Sequence, residues 1–164
     1  MFVRAKTIKG QKYGYLVKNN WKKGKVKQET KKYLGRIIPV LKPNNSFIPF
    51  KLDFSSSLKN CMINLIKNEF CSRGFIKHSR QNAIVFDNTI INFSTNKISK
   101  DKKDVVLFVN NRYFYSDLLK ELILFYSPES SEDVKGQKLA KAFSDTGISI
   151  LKEDFVNLYK KIYF

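Results

Sequence analysis

The chain has 164 residues, 43% of them hydrophobic and 14% aromatic, and its 31 Lys and Arg against 14 Asp and Glu give a net charge of +17. Such an apolar content excludes a disordered tail, and the length allows one domain, or two small ones, with a buried core. No apolar run approaches the ~18 residues of a membrane span and no short apolar block opens the chain as in a secretion signal, so a soluble, cytoplasmic protein without membrane contact is expected.

The charge is unevenly placed. Residues 1–42 hold Arg4, Arg36 and eleven lysines against one acid, Glu29, a net +12, whereas residues 43–115 carry +6 and residues 116–164 carry −1. A basic stretch interleaved with aromatics is the electrostatic footprint of a surface that binds polyanions.

Period-2 alternation predicts strands over residues 2–9, 12–21 and 25–34, joined by Gly10-Gln11 and by the turn Lys22-Lys23-Gly24. Superposed as a meander, they give a basic three-stranded antiparallel sheet with a dry face and a wet face. Arg4, Lys6, Lys12, Lys18, Lys25, Lys27 and Lys31 are expected to share the wet face, while Leu16 does not fit it. Seven cations on one face repel one another unless a polyanion neutralises them. A two- or three-stranded sheet fits the major groove of duplex DNA, about 12 Å wide. Gly14 is read as a point where backbone approaches a phosphate or base edge. Trp21, beside Lys22 and Lys23, either stacks on a base or sugar or closes the hydrophobic core.

The series Tyr13-Gly14-Tyr15-Leu16-Val17, Gly24-Lys25-Val26-Lys27-Gln28 and Tyr33-Leu34-Gly35 resembles the N-terminal segment of certain insertion-sequence DDE transposases and of small archaeal proteins that share it. The resemblance covers about 35 residues and implies a small DNA-binding sheet, similar in outline to that of plant ethylene-response factors. Everything after it departs from the transposases, so it does not imply transposition.

Residues 37–54 contain Pro39, Pro43, Pro49 and Asn44-Asn45-Ser46, a composition that breaks helix and sheet and predicts a linker between a domain at 1–36 and a second at 55–164. The second domain is expected to be α+β. Ser55–Ser57 caps a helix to about Ser72, stopped by Gly74. Cys61 and Cys71 stand ten residues apart on that rod, too distant to bridge, and read as buried thiols in a reducing compartment. Strands are predicted at 75–79, 83–86 and 89–93 around an Asp87-Asn88 turn, then a polar loop at 94–103, then a hairpin of 105–109 and 112–115 around Asn110-Asn111. Helices close the chain at 116–126, 132–144 and 152–163; a capping box is read in Ser130-Ser131-Glu132-Asp133. Tyr113-Phe114-Tyr115 through Ile162 bears a faint resemblance to the same archaeal proteins, which implies no activity.

The sequence offers no catalytic constellation, no metal set and no cofactor motif. Asp87, Asp101 and Asp104 fall on a turn or loop, not on a ribonuclease-H-like sheet. Glu29-Thr30-Lys31 lacks the preceding acid of a nuclease signature. His78 is the only histidine, too few for a His-rich zinc site. The expectation is a non-catalytic nucleic-acid-binding protein, nucleoid- or ribosome-associated. Its N-terminal sheet binds duplex DNA in preference to RNA, and its C-terminal helices are free to meet a protein partner or a second copy. The alternatives are an RNA-binding or ribosome-associated protein, whose tyrosines stack on unpaired bases, and a metal-dependent nuclease or transposase derivative.

Overall fold

The computed structural model describes residues 1–22, 24–128 and 131–163, with Lys22 and Tyr163 as backbone only. The class is α+β. Three N-terminal strands, β1 (Phe2–Ile8), β2 (Gln11–Lys22) and β3 (Lys25–Pro39), are followed by α1 (Leu58–Cys71). Six strands come next: β4 (Ile76–Lys77), β5 (Ala83–Phe86), β6 (Thr89–Asn92), β7 (Lys97–Lys100), β8 (Lys103–Val109) and β9 (Arg112–Phe114). The chain ends in α2 (Ser116–Ile123), α3 (Glu132–Thr146) and α4 (Lys152–Tyr163). All the strands belong to one sheet, in the order β1-β2-β3-β8-β7-β6-β5-β4, with β9 also paired to β8.

Local chemistry sets most of these elements. Ser57 accepts a hydrogen bond from the Asn60 amide at 3.2 Å and starts α1. The stripe of Cys61, Met62, Leu65, Ile66 and Phe70 is buried, at the spacing of one helix face. Lys9-Gly10, Asp87-Asn88, Asp101-Lys102 and Asn110-Asn111 all have positive φ at both residues, as tight two-residue hairpins require. Ile84, Ile91 and Ile98 lie opposite one another across β5, β6 and β7 and are fully buried. With Val105, Leu107 and Val109 they form the main core together with apolar residues of α1 to α4. Val106 and Phe108 alternate to the opposite face. There they meet Leu34, Ile37 and Tyr115, with Val3 and Leu16 partly buried against them.

The structure corrects the three-stranded N-terminal sheet. Its strands continue into a nine-stranded sheet, because β3 runs on past Leu34 and pairs in parallel with β8 from Arg36↔Val105 to Pro39↔Phe108. The join needs Gly35: its φ is +109°, and a Cβ there would stand 2.0 Å from the Asp104 carbonyl oxygen. The segment expected as a linker therefore begins inside a strand. The rest of it is tied down, with the Val40 amide donating to Phe108 O, the Asn44 amide to Ser72 O, and Phe50 exchanging two hydrogen bonds with the Asn68 side chain.

Other differences are local. The expected loop at 94–103 holds β7, whose one fully buried residue, Ile98, gives no alternation to read. β4 is two residues long where five were expected, and α2 ends at Ile123 instead of residue 126. Ser131 is the N-cap of α3 without a side-chain capping bond, so Glu132 and Asp133 favour that terminus by charge alone; Ser130 lies outside the described residues. Cys61 and Cys71 are free thiols of α1, Cys61 buried and Cys71 half-buried. Among the described residues no helix is long and apolar enough to cross a membrane.

Candidate nucleic-acid interface

The β2–β3 hairpin outgrows the sheet that anchors it. From Lys25 to Tyr33 every residue of β3 is exposed, and burial begins only at Leu34. β1 pairs with β2 only as far as Val17, so the hairpin projects alone over Lys25–Glu29 of β3, five residues at about 3.3 Å each, an arm of roughly 17 Å. Two extra residues on β3, at the register shifts opposite Gly14/Tyr15 and Leu16/Val17, add twist where the arm leaves the body.

Pairing decides which side chains share a face. β1 meets β2 with Arg4 opposite Tyr15, Lys6 opposite Tyr13 and Val3 opposite Leu16. Directly opposed residues point the same way. Arg4 and Lys6 therefore lie on the face of Tyr13 and Tyr15, not with Lys12 and Lys18 as expected. The cause is the turn: a two-residue loop pairs even-numbered residues with odd-numbered ones, so Arg4 and Lys6 cannot face Lys12 and Lys18. The single wet face of seven cations is thus replaced by two surfaces.

The lysine face carries Lys12 and Lys18 of β2 and Lys25 and Lys27 of β3, with Lys18 opposite Glu29 and Asn20 opposite Lys27. Lys31 falls at a register shift and binds Glu29 at 2.5 Å, while the Asn20 amide donates to the same carboxylate at 2.6 Å. Those two hydrogen bonds, the Lys31 bond first, hold the Glu29 carboxyl below the ordinary carboxylate range. Lys32 is engaged by Asp117 of α2 at 2.7 Å. At the foot of this face Gly14 is buried, and a Cβ there would meet Val106 Cγ2 at 3.1 Å. Gly14 thus packs on β8 and does not present backbone to a ligand, and Leu16 belongs to the same small core.

The aromatic face carries Tyr13, Tyr15 and Tyr33, with Tyr33 55% exposed. The Tyr33 ring centroid is 5.3 Å from that of Tyr15 and 6.4 Å from that of Tyr13. Partial burial, and then the neighbouring phenols, raise the Tyr33 pKa, keeping the ring neutral. Lys6 Nζ sits 4.8 Å from the centre of the Tyr15 ring, and the Arg4 guanidinium donates to Gln28 Oε1. Further out, Trp21 pairs with Val26 and is 76% exposed, so it does not close a core. Lys22 ends β2 without a described side chain, and Lys23 lies outside the described residues.

Where the aromatic face meets the body, a cleft of about 570 Å³ opens between Tyr13, Tyr33 and Arg36 on one side and Lys100, Asp101, Lys103 and Asp104 on the other. Lys100 is bound to Asp87 at 2.6 Å. The sequence alone did not single out Arg36, Gln28 or Lys103, and it gave the tyrosines a role only in the RNA alternative; the pairing parity of the first hairpin would have moved them beside Arg4 and Lys6.

Of the acids weighed for metal chemistry, Asp101 and Asp104 line the cleft together, while Asp87 is bound to Lys100. Among the described residues no three or more His, Cys, Asp or Glu side chains are grouped to hold a metal ion. His78 is half-buried, its Nδ1 accepting from the Arg80 amide at 3.2 Å. No family model matches the chain, and the searches of curated proteins and of solved structures found no match either.

Proposed function

We propose that this chain is a non-catalytic nucleic-acid-binding protein that engages duplex DNA through its N-terminal hairpin arm. The observation that carries the reading is the arm itself: nine consecutive exposed residues of β3 paired with β2, a row of lysines on one side, and a single acid already bound to Lys31 and Asn20. Two strands about 4.8 Å apart match the width of the major groove once side chains are added. Lysines held on a pleated ribbon meet the phosphates, and counterion release supplies the affinity. The resemblance of Tyr13–Gly35 to the transposase N-terminal segment points the same way.

The exposed Tyr33 ring favours a second reading, binding of single strands or structured RNA, since every base has a face that can stack on a phenol. Affinities for duplex DNA, single-stranded DNA and structured RNA, measured at one salt concentration, separate the two. Tightest binding to duplex DNA supports the arm reading; tightest binding to RNA or single strands replaces it with the second.

A further inference from the structure

The lysine face explains attraction to a phosphate backbone, but it gives no task to the opposite face. There the Tyr33 ring lies against those of Tyr13 and Tyr15, both half-buried, and Tyr33, the exposed one of the three, borders the cleft. An aromatic surface kept open to water beside cations is costly unless something covers it. The cleft volume, about 570 Å³, is in the range of sites that enclose small ligands.

Charge narrows the occupant. With Lys100 held by Asp87, the remaining cations Arg36 and Lys103 are balanced by Asp101 and Asp104, so the cleft is locally neutral, whereas Arg4 and Lys6 beside it are cationic. A polyphosphate finds no net positive charge there to hold it. A neutral heterocycle with phosphates on its flanks fits: the ring stacks on Tyr33, the flanking phosphates meet Arg36 and Lys6, and a carboxylate accepts from an exocyclic amino group on the base. Resting on the reading of the arm as a duplex-binding element, we infer that the cleft at its foot takes one unpaired nucleotide with an amino-bearing base. The protein then recognises an interruption of the duplex, not a uniform one.

The test uses the full chain and labelled hairpins, in DNA and in RNA, identical but for a single bulged cytosine, a bulged thymine or uracil, or no bulge. Wild-type protein is expected to prefer the cytosine bulge to the paired stem by about 5- to 100-fold, and to prefer it to the thymine or uracil bulge. The DNA and RNA series identify which backbone is accepted. Tyr33→Leu should abolish the preference and Tyr33→Phe retain it, the preference being read in each variant as the ratio of bulge to paired-stem affinity; Lys25→Gln with Lys27→Gln should weaken every probe alike and keep the preference. A bulged 2-aminopurine should lose fluorescence on binding wild-type protein, a readout independent of any variant. Binding to paired stems without bulge preference or quenching overturns this inference and spares the arm reading; equal affinity for cytosine and thymine overturns the amino-bearing base. Bulge preference that survives Tyr33→Leu overturns the placement of the base. Failure to bind any probe overturns the arm reading and this inference together.

Discussion

Replacing Lys25 and Lys27 with Gln tests the arm by its salt dependence. Both side chains are exposed, and the register places them on one face with Lys12 and Lys18. Lys31 is offset by Glu29 and Lys32 by Asp117, so this face offers four unpaired cations among the described residues. If each neutralises one phosphate of B-form DNA, log affinity falls against log salt with a slope of roughly −3.6, and the double substitution cuts it to about −1.8. Between 50 and 200 mM salt the wild type should lose roughly 100-fold in affinity and the variant about tenfold. The assay is fluorescence anisotropy of a labelled duplex across a salt series, with thermal melts to show that both proteins are folded. Lys51→Gln with Lys59→Gln makes the same charge change at exposed positions of the body and should leave the slope unaltered. A wild-type slope near −6 means that the aromatic face also meets phosphates. An unchanged slope in the arm variant, or an equal change in the body variant, refutes the assignment of binding to the lysine face.

Three further outcomes test how the arm is held. Gly35→Ala should destabilise the fold by at least about 2 kcal/mol in urea unfolding, because its Cβ collides with the Asp104 carbonyl at a positive φ. Arg73→Met should cost about 3–5 kcal/mol in the same measurement; it removes the buried partner of Glu69, which Arg73 meets at 2.6 Å while also donating to Leu41 O and Asn110 Oδ1. Burial first, and then Asp117, Glu121 and Asp145, push the Tyr115 phenol up to about 12. Raised above its unfolded value near 10, the phenol contributes stability that is full below pH 10 and lost as pH rises through 12, a loss that Tyr115→Phe should remove from alkaline unfolding curves.

Legibility followed the range of the interactions. The Ser57 cap, the apolar stripe of α1, the Asp87-Asn88 and Asn110-Asn111 turns and the last helix are local signals, and the structure has them at or near the expected residues. The parallel join of β3 to β8 brings together residues nearly seventy apart, and nothing in either strand names the other. Trp21 shows the limit of composition: its residue type fits base stacking and core closure equally, and only the pairing with Val26 at the arm's end, both exposed, takes it out of the core. At the site, the residue types were legible and their grouping was not. Alternation gives the two faces of each strand, but only the parity of the turn says which face of β1 lies with which face of β2.

The same join decides how the two halves depend on each other. Val106 is fully buried, with the main core on the face of its neighbours Val105 and Leu107 and with Gly14, Leu34 and Ile37 on its own. Removing residues 1–42 would uncover that side chain and leave the edge of β8 from Val105 to Phe108 without its partner strand, an exposed apolar edge of the kind that aggregates. Loss of binding by residues 43–164 alone would then report a damaged fold as readily as a missing interface, so substitutions at exposed positions of the arm are the cleaner probe. The coupling also gives the arm a fixed bearing. Its root is clamped by Gly35 against Asp104, and Asp104 also lines the cleft, so the arm and the cleft at its foot keep one relative orientation.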